Sequence, residues 1–321
     1  MIKIYKSHNN ILEKRPFVIN ENLEINKLTE KNTWIHLSNP NEEEIKVITN
    51  AFDIPEEHIR AALDEEEKAR LEIDDSMILV IIDVPVHSEE NRCTFTTMPL
   101  GIILLQDNII TVSTTKFPLI EEFINGKIKS FFTYKKIRFI LQLLFRNSTY
   151  FLYYLRQIGR ISDSVEKHLK ESMRNEELMS LLELEKSLVY FTTSLKSNEA
   201  VLERMMRTEI VKKYPDDLEL LEDVIIETKQ AIEMANIYYS ILGGTRDAFS
   251  SVISNNLNVV MKKLTSITIV FAIPTIVSGL WGMNVGGIPF ASDTNGFFLV
   301  LLMAIVFGLL LAWVLFRKEM F

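Results

Sequence analysis

Cysteine is almost absent from the sequence, and the signatures of nucleotide binding and of catalysis are missing. Cys93 is the only cysteine among 321 residues, so no disulfide can form within the chain, which suits a reducing compartment. No glycine-rich phosphate loop ending in Lys-Ser or Lys-Thr occurs, and no arrangement of nucleophile, base and oxyanion donors is discernible. We therefore expect that the protein is not an enzyme and binds no nucleotide.

Basic residues are outnumbered by acidic ones, and histidine and cysteine do not occur in metal-ligand patterns. The chain carries 35 Lys and Arg against 43 Asp and Glu, a net charge of −8, and because bases outnumber acids from Lys262 onward, the negative charge comes entirely from the region before Lys262. Such an acidic region argues against nucleic acid as a partner, where a basic patch is expected, and fits divalent cations better. The five histidines lack metal-ligand spacing, although His87 could meet Cys93 across a hairpin to bind zinc. The first ten residues have no apolar core, so we expect no N-terminal signal peptide.

Residues 1–126 alternate strand and helix signals in the way that is typical of an α/β domain. One helix is predicted after the possible cap at 39–41, and another after Pro55. Runs rich in β-branched residues predict strands at 2–5, 34–37, 77–86, 94–105 and 109–113.

Residues 127–214 predict an antiparallel pair of helices. Apolar residues recur at steps of three and four over about 127–173 and about 176–211. Arg174 and Asn175 mark the expected turn between the two helices.

A much longer helix is predicted to begin at Pro215. Proline suits the first helical position, and the acids Asp216 and Asp217 complement the positive end of the helix dipole. Small and apolar residues then repeat at alternating steps of three and four, in phase on both sides of Gly243-Gly244. We predict one continuous helix to about Met283, on the order of 100 Å long at 1.5 Å per residue. The repeat consists of Leu221, Val224, Thr228, Ala231, Ala235, Tyr238, Leu242, Thr245, Phe249 and Val252.

Two apolar segments near the C-terminus are predicted to cross a membrane. No charged residue occurs from Leu264 to Leu280, and with 281–284 the segment reaches the roughly 20 residues that a bilayer requires. The first span is therefore the end of the long helix, which occupies 215–284. The second span is 297–316.

The distribution of basic residues predicts the orientation of the spans. Lysines precede the first span and bases begin the short tail 317–321, whereas the loop 285–296 contains one acid, Asp293, and no base. The positive-inside tendency places both termini in the cytosol and the loop outside.

One face of the first span carries small or polar residues. Polar groups are costly in hydrocarbon, so such a stripe normally faces protein or water. From the stripe alone, a pore lining and a helix-packing face explain the pattern equally well. A pore would need several copies in a ring, because two helices cannot enclose one. The stripe consists of Asn258, Met261, Thr265, Thr268, Ala272, Thr275 and Gly279.

The first span ends in the sequence Trp281-Gly282-Met283-Asn284. At the end of the penultimate span, after a long cytosolic helix, this sequence closely resembles the CorA family of divalent-cation channels. The resemblance covers the whole plan of an α+β cytosolic domain, a helical pair, a stalk helix, two transmembrane helices and a basic tail. It implies a funnel-shaped homopentamer in the inner cell membrane whose pore, lined by the first span, carries chiefly magnesium. Members close to ZntB carry zinc.

The chemistry of the Gly-Met-Asn motif suits a hydrated ion. Mg²⁺ gives up its water reluctantly, so a ring of Asn284 amide oxygens would attract the hydrated ion without the tight binding of carboxylates. Gly282 would allow close approach of the backbones, and we expect Met283 to pack and fix the turn. Taken alone, Asn284 could instead be a helix C-cap.

The resemblance also assigns positions along the pore. Ala272 stands where many members have a methionine, and the loop 285–289 lacks the acid of magnesium-type members and resembles ZntB-like branches. Both departures bear on which ion is transported. The polar pore positions of the family are matched by Thr275, Thr268 and Asn258. The apolar constriction near the cytosolic end is matched by Met261 and Leu264.

In the family, magnesium bound between the cytosolic domains of neighbouring subunits holds the pore shut. Asp223 on the long helix matches a family acid, and its partner is expected in the acidic run. Asp247, lower on the same helix, matches another family acid near the membrane. The same carboxylates could also be ordinary exposed charges. The run consists of Asp64, Glu65, Glu66 and Glu67.

We therefore expect a pentameric magnesium channel. The membrane potential alone would favour entry of a divalent cation by about 4.6 kcal/mol per 100 mV. The alternatives are a zinc or cobalt transporter of the ZntB type and, from a different class, a membrane-anchored scaffold whose acidic domain senses an ion.

Overall fold

The computed structural model describes residues 1–8, 11–17, 28–74, 76–88, 94–172, 175–212, 214–290 and 294–318. The chain divides into two compact units, Met1–Thr245 and Arg246–Phe321. Three residues named above, Cys93, Arg174 and Asp293, lie outside the described residues, as does the end of the basic tail.

A seven-stranded sheet organises the first unit. Its strands are β1 (Ile2–His8), β2 (Ile11–Arg15), β3 (Thr33–Ser38), β4 (Arg70–Ile73), β5 (Met77–His87), β6 (Phe95–Leu105) and β7 (Ile109–Ser113). Their order is β2-β1-β3-β7-β6-β5-β4, with β3 and β7 parallel and the other paired strands antiparallel. The five predicted strands are confirmed. The two edge strands, β2 and β4, escape the apolar pattern because edge strands commonly carry charges.

The helices follow the predicted order, but the pair predicted over about 127–173 and 176–211 begins later and its second helix ends at Met206, and a helix at 118–124 is additional. They are α1 (Glu42–Phe52), α2 (Glu56–Ala61), α3 (Pro118–Ile124), α4 (Lys136–Ser172), α5 (Asn175–Met206), α6 (Glu209–Lys212), α7 (Pro215–Trp281) and α8 (Gly296–Arg317). The cap before α1 is confirmed at Asn41, whose side chain accepts the Glu44 N–H at 2.8 Å while Glu44 accepts the Asn41 N–H at 3.0 Å.

The predicted start of the helical pair near residue 127 is wrong, because α4 begins at Lys136. Gly126, at φ +67°, follows the end of α3 in a conformation that favours glycine. The Phe131 ring then lies 5.0 Å from the ring of Phe123 and 4.7 Å from that of Phe139. This aromatic cluster holds the segment before α4 out of the helix.

Both faces of the sheet are covered, so its strands are apolar on both sides. On β3, Trp34 packs with α3 and α4, whereas Ile35 packs with α1 and α2. The alternation follows from the opposite directions of successive strand side chains. The first unit is thus a sheet between two helical layers.

His36 is buried in this core beside Trp34. Its Nδ1 lies 2.9 Å from the hydroxyl of Thr111, which also accepts the Trp34 indole N–H at 2.9 Å. Burial lowers the pKa of His36 to about 4, so the imidazole is neutral at pH 7.

A buried amide joins α5 to the sheet. Asn198 accepts the backbone N–H of Asp83 at 2.9 Å and donates to its carbonyl at 2.8 Å. Asn147 on α4 also donates to this carbonyl at 2.8 Å. Pro99 stands opposite Asp83 on β6 and has no N–H, so the two side-chain amides supply donors in its place.

The long helix α7 is continuous over 67 residues, as predicted, and Gly243-Gly244 does not interrupt it. Most of the predicted repeat is buried, for example Leu221 and Ala231 at 0% exposure. Val252 departs from the repeat, with 40% of its surface exposed.

Candidate functional site

The two C-terminal helices pack against each other through small residues. On α8 the buried residues include Gly296, Ala304 and Gly308, and a Cβ added at Gly308 would lie 4.0 Å from Pro274 on α7. Without a hydrophobic force between helices in lipid, small residues allow the close approach that stabilises such a pair. Apart from Ala272, the buried or half-buried positions of α7 in this part of the helix lie on one face, the face of Pro274, and are Ser266, Val270, Ile273, Pro274, Val277 and Trp281.

The polar stripe lies on the other side of α7. At roughly 100° per residue, its mean direction is about 180° from that of the face that contacts α8. Apart from the half-buried Ala272, every residue of the stripe and Leu264 are exposed. The stripe is therefore not the packing face for α8 and is left uncovered in the single chain.

Two of the three threonines of the stripe bond to their own helix. Thr268 donates to the Leu264 carbonyl at 2.8 Å and Thr275 to the Phe271 carbonyl at 3.0 Å. The hydroxyl protons are thus satisfied within the helix, and the oxygen lone pairs remain available on the exposed face.

The Gly-Met-Asn motif begins immediately after the end of α7 at Trp281. The Gly282 N–H donates to the Ser278 carbonyl at 2.9 Å, and a Cβ at Gly282 would lie 3.1 Å from the same oxygen. Glycine therefore fits a tight last turn. Asn284 is exposed in the following loop.

Met283 does not pack to fix the turn, contrary to our prediction, because 51% of its surface is exposed. Trp281 makes the contact instead, donating its indole N–H to the Pro289 carbonyl at 2.9 Å. The sequence pattern does not reveal this role, since the bond joins a side chain to a backbone carbonyl eight residues away.

The candidate regulatory acids lie on the surface of the described chain. Asp223, Asp64, Glu65 and Glu66 are exposed, and Glu67 is half-buried in an ion pair with Arg70. Asp64 and Glu67 line a groove of about 660 Å³ together with other charged residues of α2 and β4.

Asp247 is also exposed and forms an ion pair with the neighbouring Arg246 at 3.2 Å. Among the described residues, no three His, Cys, Asp or Glu side chains are placed to hold a metal ion. The acids of one chain, as far as it is described, do not form a complete metal site.

The helices α7 and α8 are both long and apolar enough to cross a membrane. The apolar stretch of α7 is 6% buried and that of α8 17% buried. So low a burial of apolar side chains is typical of lipid-facing helices and not of the core helices of a water-soluble protein.

Comparisons with known proteins agree with this architecture. The cobalt/magnesium transport protein CorA of Methanocaldococcus jannaschii is 29% identical over 298 residues, which cover 89% of this chain and 90% of that protein. The complete structure of the CorA magnesium transporter from the same organism matches at a TM-score of 0.82 and 25% identity, over 99% of this chain and 98% of that one. The zinc transport protein ZntB of Yersinia pestis is 24% identical over 136 residues, 42% of each chain.

The sequence profile described as CorA-like Mg²⁺ transporter protein matches residues 29–318, which include five of the seven strands and the two apolar helices α7 and α8. The α+β unit, the long helix and the C-terminal apolar helix expected from the sequence are those of the matched structure. The chain therefore belongs to the family of CorA-like Mg²⁺ transporter proteins.

Proposed function

We propose that five copies of this chain form a channel through which Mg²⁺ enters the cell, lined by the exposed stripe of α7. The position of the stripe opposite α8 carries the proposal. Polar side chains left uncovered in hydrocarbon are costly, so neighbouring copies and pore water are the natural environment of this face. In a ring of copies with α8 on the outside towards the lipid, one face of α7 packs against α8 and the polar stripe faces the neighbouring copies and the pore.

The mouth of the pore is assigned to Gly282, Met283 and Asn284. Asn284 is exposed just after the helix end, where a ring of amide oxygens would bind the water shell of Mg²⁺. Neutral acceptors would attract the ion and still release it, as conduction requires. At the other end, Met261 and Leu264 are 51% and 57% exposed in one chain and would form apolar rings that close by dewetting.

Cytosolic Mg²⁺ is proposed to regulate the gate. Carboxylate oxygens are the ligands that Mg²⁺ prefers, and Asp223 is exposed and available. Since the described residues of one chain hold no complete cluster, we assign the site to two subunits, with Asp64, Glu65 or Glu66 as the partners of Asp223. Glu67 and Asp247 are weaker ligands because each is already paired with an arginine.

The same proposal fixes the arrangement in the membrane. Residues 1–126 and 127–214 form the two parts of a cytosolic domain, and 215–284 joins the stalk to the first span. The loop 285–296 faces outwards and the second span, 297–316, returns the tail to the cytosol of the inner membrane.

Zinc or cobalt transport is the second candidate, favoured by the loop after Asn284. Residues 285–289 contain no acid, unlike magnesium-type members, and the chain is similar to a zinc transport protein over part of its length. An anchored ion-sensing scaffold is a poorer fit, because it gives the exposed stripe of α7 no role.

Ion uptake into vesicles containing the purified chain tests these proposals. We expect entry of Mg²⁺, and Asn284→Ala is expected to reduce it at least about tenfold, the factor that one lost hydrogen bond represents. Asn295→Ala is the matched control, since Asn295 is exposed before α8 and makes no side-chain capping bond.

Three outcomes would change the assignment. Entry of Zn²⁺ without Mg²⁺ would establish the zinc alternative. Uptake that is indifferent to Asn284→Ala would remove the motif from the pathway. Absence of uptake for every divalent ion would favour the scaffold.

A further inference from the structure

The loop that contains Asn284 is closed by a side-chain hydrogen bond. Trp281, the last residue of α7, donates its indole N–H to the Pro289 carbonyl at 2.9 Å. The contact closes the segment 282–288 into a short loop, and Asn284 lies within it. Asn284 is exposed, so the position of its amide depends on the backbone of this loop.

The backbone conformation of the loop fits such closure. The turn at Gly287 has φ +89°, a conformation that L side chains rarely adopt. Phe290, next to the acceptor, has φ +65°, which costs strain and persists where surrounding contacts hold it. Just beyond the loop the backbone approaches the start of α8 closely, since a Cβ on Gly296 would collide with the Phe290 carbonyl oxygen. The Trp281–Pro289 bond thus joins the end of α7 to a segment that contacts α8.

The geometry points to Trp281 as a positioning residue that sets the ion selectivity of the mouth by holding the loop around Asn284. This inference rests on the proposed function. An amide ring distinguishes hydrated ions only if its oxygens keep a fixed spacing, and residues that carry such groups need support from their neighbours. The indole N–H supplies that support without contacting the ion.

The indole is suited to this bond in a way that other aromatic residues are not. Its N–H projects from the side of a large ring, whereas phenylalanine has no donor and the tyrosine O–H lies at the far tip of the ring. The tryptophan at this position thus combines an aromatic ring at the membrane surface with a laterally directed donor.

Selective removal of the indole N–H tests the inference. Trp281→Phe removes the donor, and replacement of Trp281 by 3-benzothienylalanine removes it while keeping the shape of the ring. Uptake of Mg²⁺ and of Ca²⁺ is measured in vesicles with equal amounts of assembled protein. Ca²⁺ is the probe because it is larger and loses water more readily than Mg²⁺.

We expect the ratio of Mg²⁺ to Ca²⁺ uptake to fall about tenfold in both variants, the factor that one hydrogen bond represents. The Mg²⁺ rate itself should change less than the ratio. Trp313→Phe is the matched control, since Trp313 lies on α8 beside Arg317 and outside the loop. Its ratio should equal that of the unsubstituted chain.

The outcomes separate selectivity from mere stability. An unchanged ratio in the 3-benzothienylalanine variant, or equal losses for both ions, overturns the inference and leaves the proposed channel intact. If Trp281→Phe fails to assemble, the isosteric analogue decides. Failure of the unsubstituted chain to take up Mg²⁺ overturns the proposed function itself, and it is seen before any variant is compared.

Discussion

Large apolar side chains are buried in the first unit, whereas side chains of the same types are exposed in the second. Trp34 and Phe95 are 0% exposed in the core of the sheet, whereas Phe271 and Phe297 are 70% and 73% exposed. In water, burial of such rings stabilises the fold, because apolar surface is removed from solvent. In lipid that driving force between helices is absent, and the buried positions of α8 are mainly small residues. Burial in the second unit therefore reports helix contact and not hydrophobicity.

A matched pair of leucine substitutions gives the largest contrast between the units. Leu100→Ala in β6, where the side chain is 0% exposed, should cost about 2–5 kcal/mol of unfolding free energy through loss of burial and a cavity. Leu309→Ala in α8, where 66% is exposed, should cost less than about 1 kcal/mol, because lipid replaces the missing contacts. Denaturant unfolding of the full chain in detergent measures both. Equal costs would show that the outer face of α8 is covered by protein.

Acid should weaken the first unit through His36, whereas the second unit contains no histidine. The folded pKa of His36 is lowered to about 4 from 6.5, so the unfolded chain takes up the proton first as the pH falls. The contribution of neutral, buried His36 to the free energy of unfolding is complete above pH 6.5 and is lost as the pH falls from 6.5 to about 4. It amounts to about 3 kcal/mol at roughly 1.36 kcal/mol per pKa unit.

His36→Gln is the control for this titration, with unfolding followed as a function of pH. Burial raises the pKa of Asp83, whose protonation acts in the opposite direction, but it contributes to both proteins and cancels in the comparison. The same slope in both proteins would show that His36 is not the group responsible.

Two glycine substitutions give the smallest contrast. A Cβ at Gly101 would overlap the Cβ of the buried Ala62, so Gly101→Ala should cost about 1–3 kcal/mol through overpacking. A Cβ at Gly308 would lie 4.0 Å from Pro274, an ordinary contact, and Gly308→Ala should change stability by less than about 0.5 kcal/mol. Melting temperatures of the two variants check this. A larger loss at Gly308 would mean that α7 and α8 approach more closely than this contact indicates.

Local patterns predict the elements whose signals repeat along the chain. The central strands, the cap at Asn41 and the start of α7 at Pro215 were all expected from residues close in sequence. The edge strands β2 and β4 were missed because their charged residues interrupt the apolar pattern. The start of α4 was misplaced because the cluster around Phe131 includes Phe123 and Phe139, and contacts of this kind override local helical periodicity.

The candidate site was predictable in part for the same reason. The stripe from Asn258 to Gly279 follows from helical spacing alone, but its relation to α8 does not. In the sequence Trp281 stands out only as the residue before Gly-Met-Asn, because no periodic signal links its ring to Pro289.

The sequence by itself determined the apolar segments, the unbroken length of α7 and the Gly-Met-Asn end, since each depends on composition or on helical repeat. Only the tertiary structure decided which face of α7 meets α8, where Met283 lies and what closes the loop around Asn284. These features depend on contacts between residues that are distant in sequence or that meet through backbone groups. Every residue has such backbone groups, and the sequence does not distinguish among them.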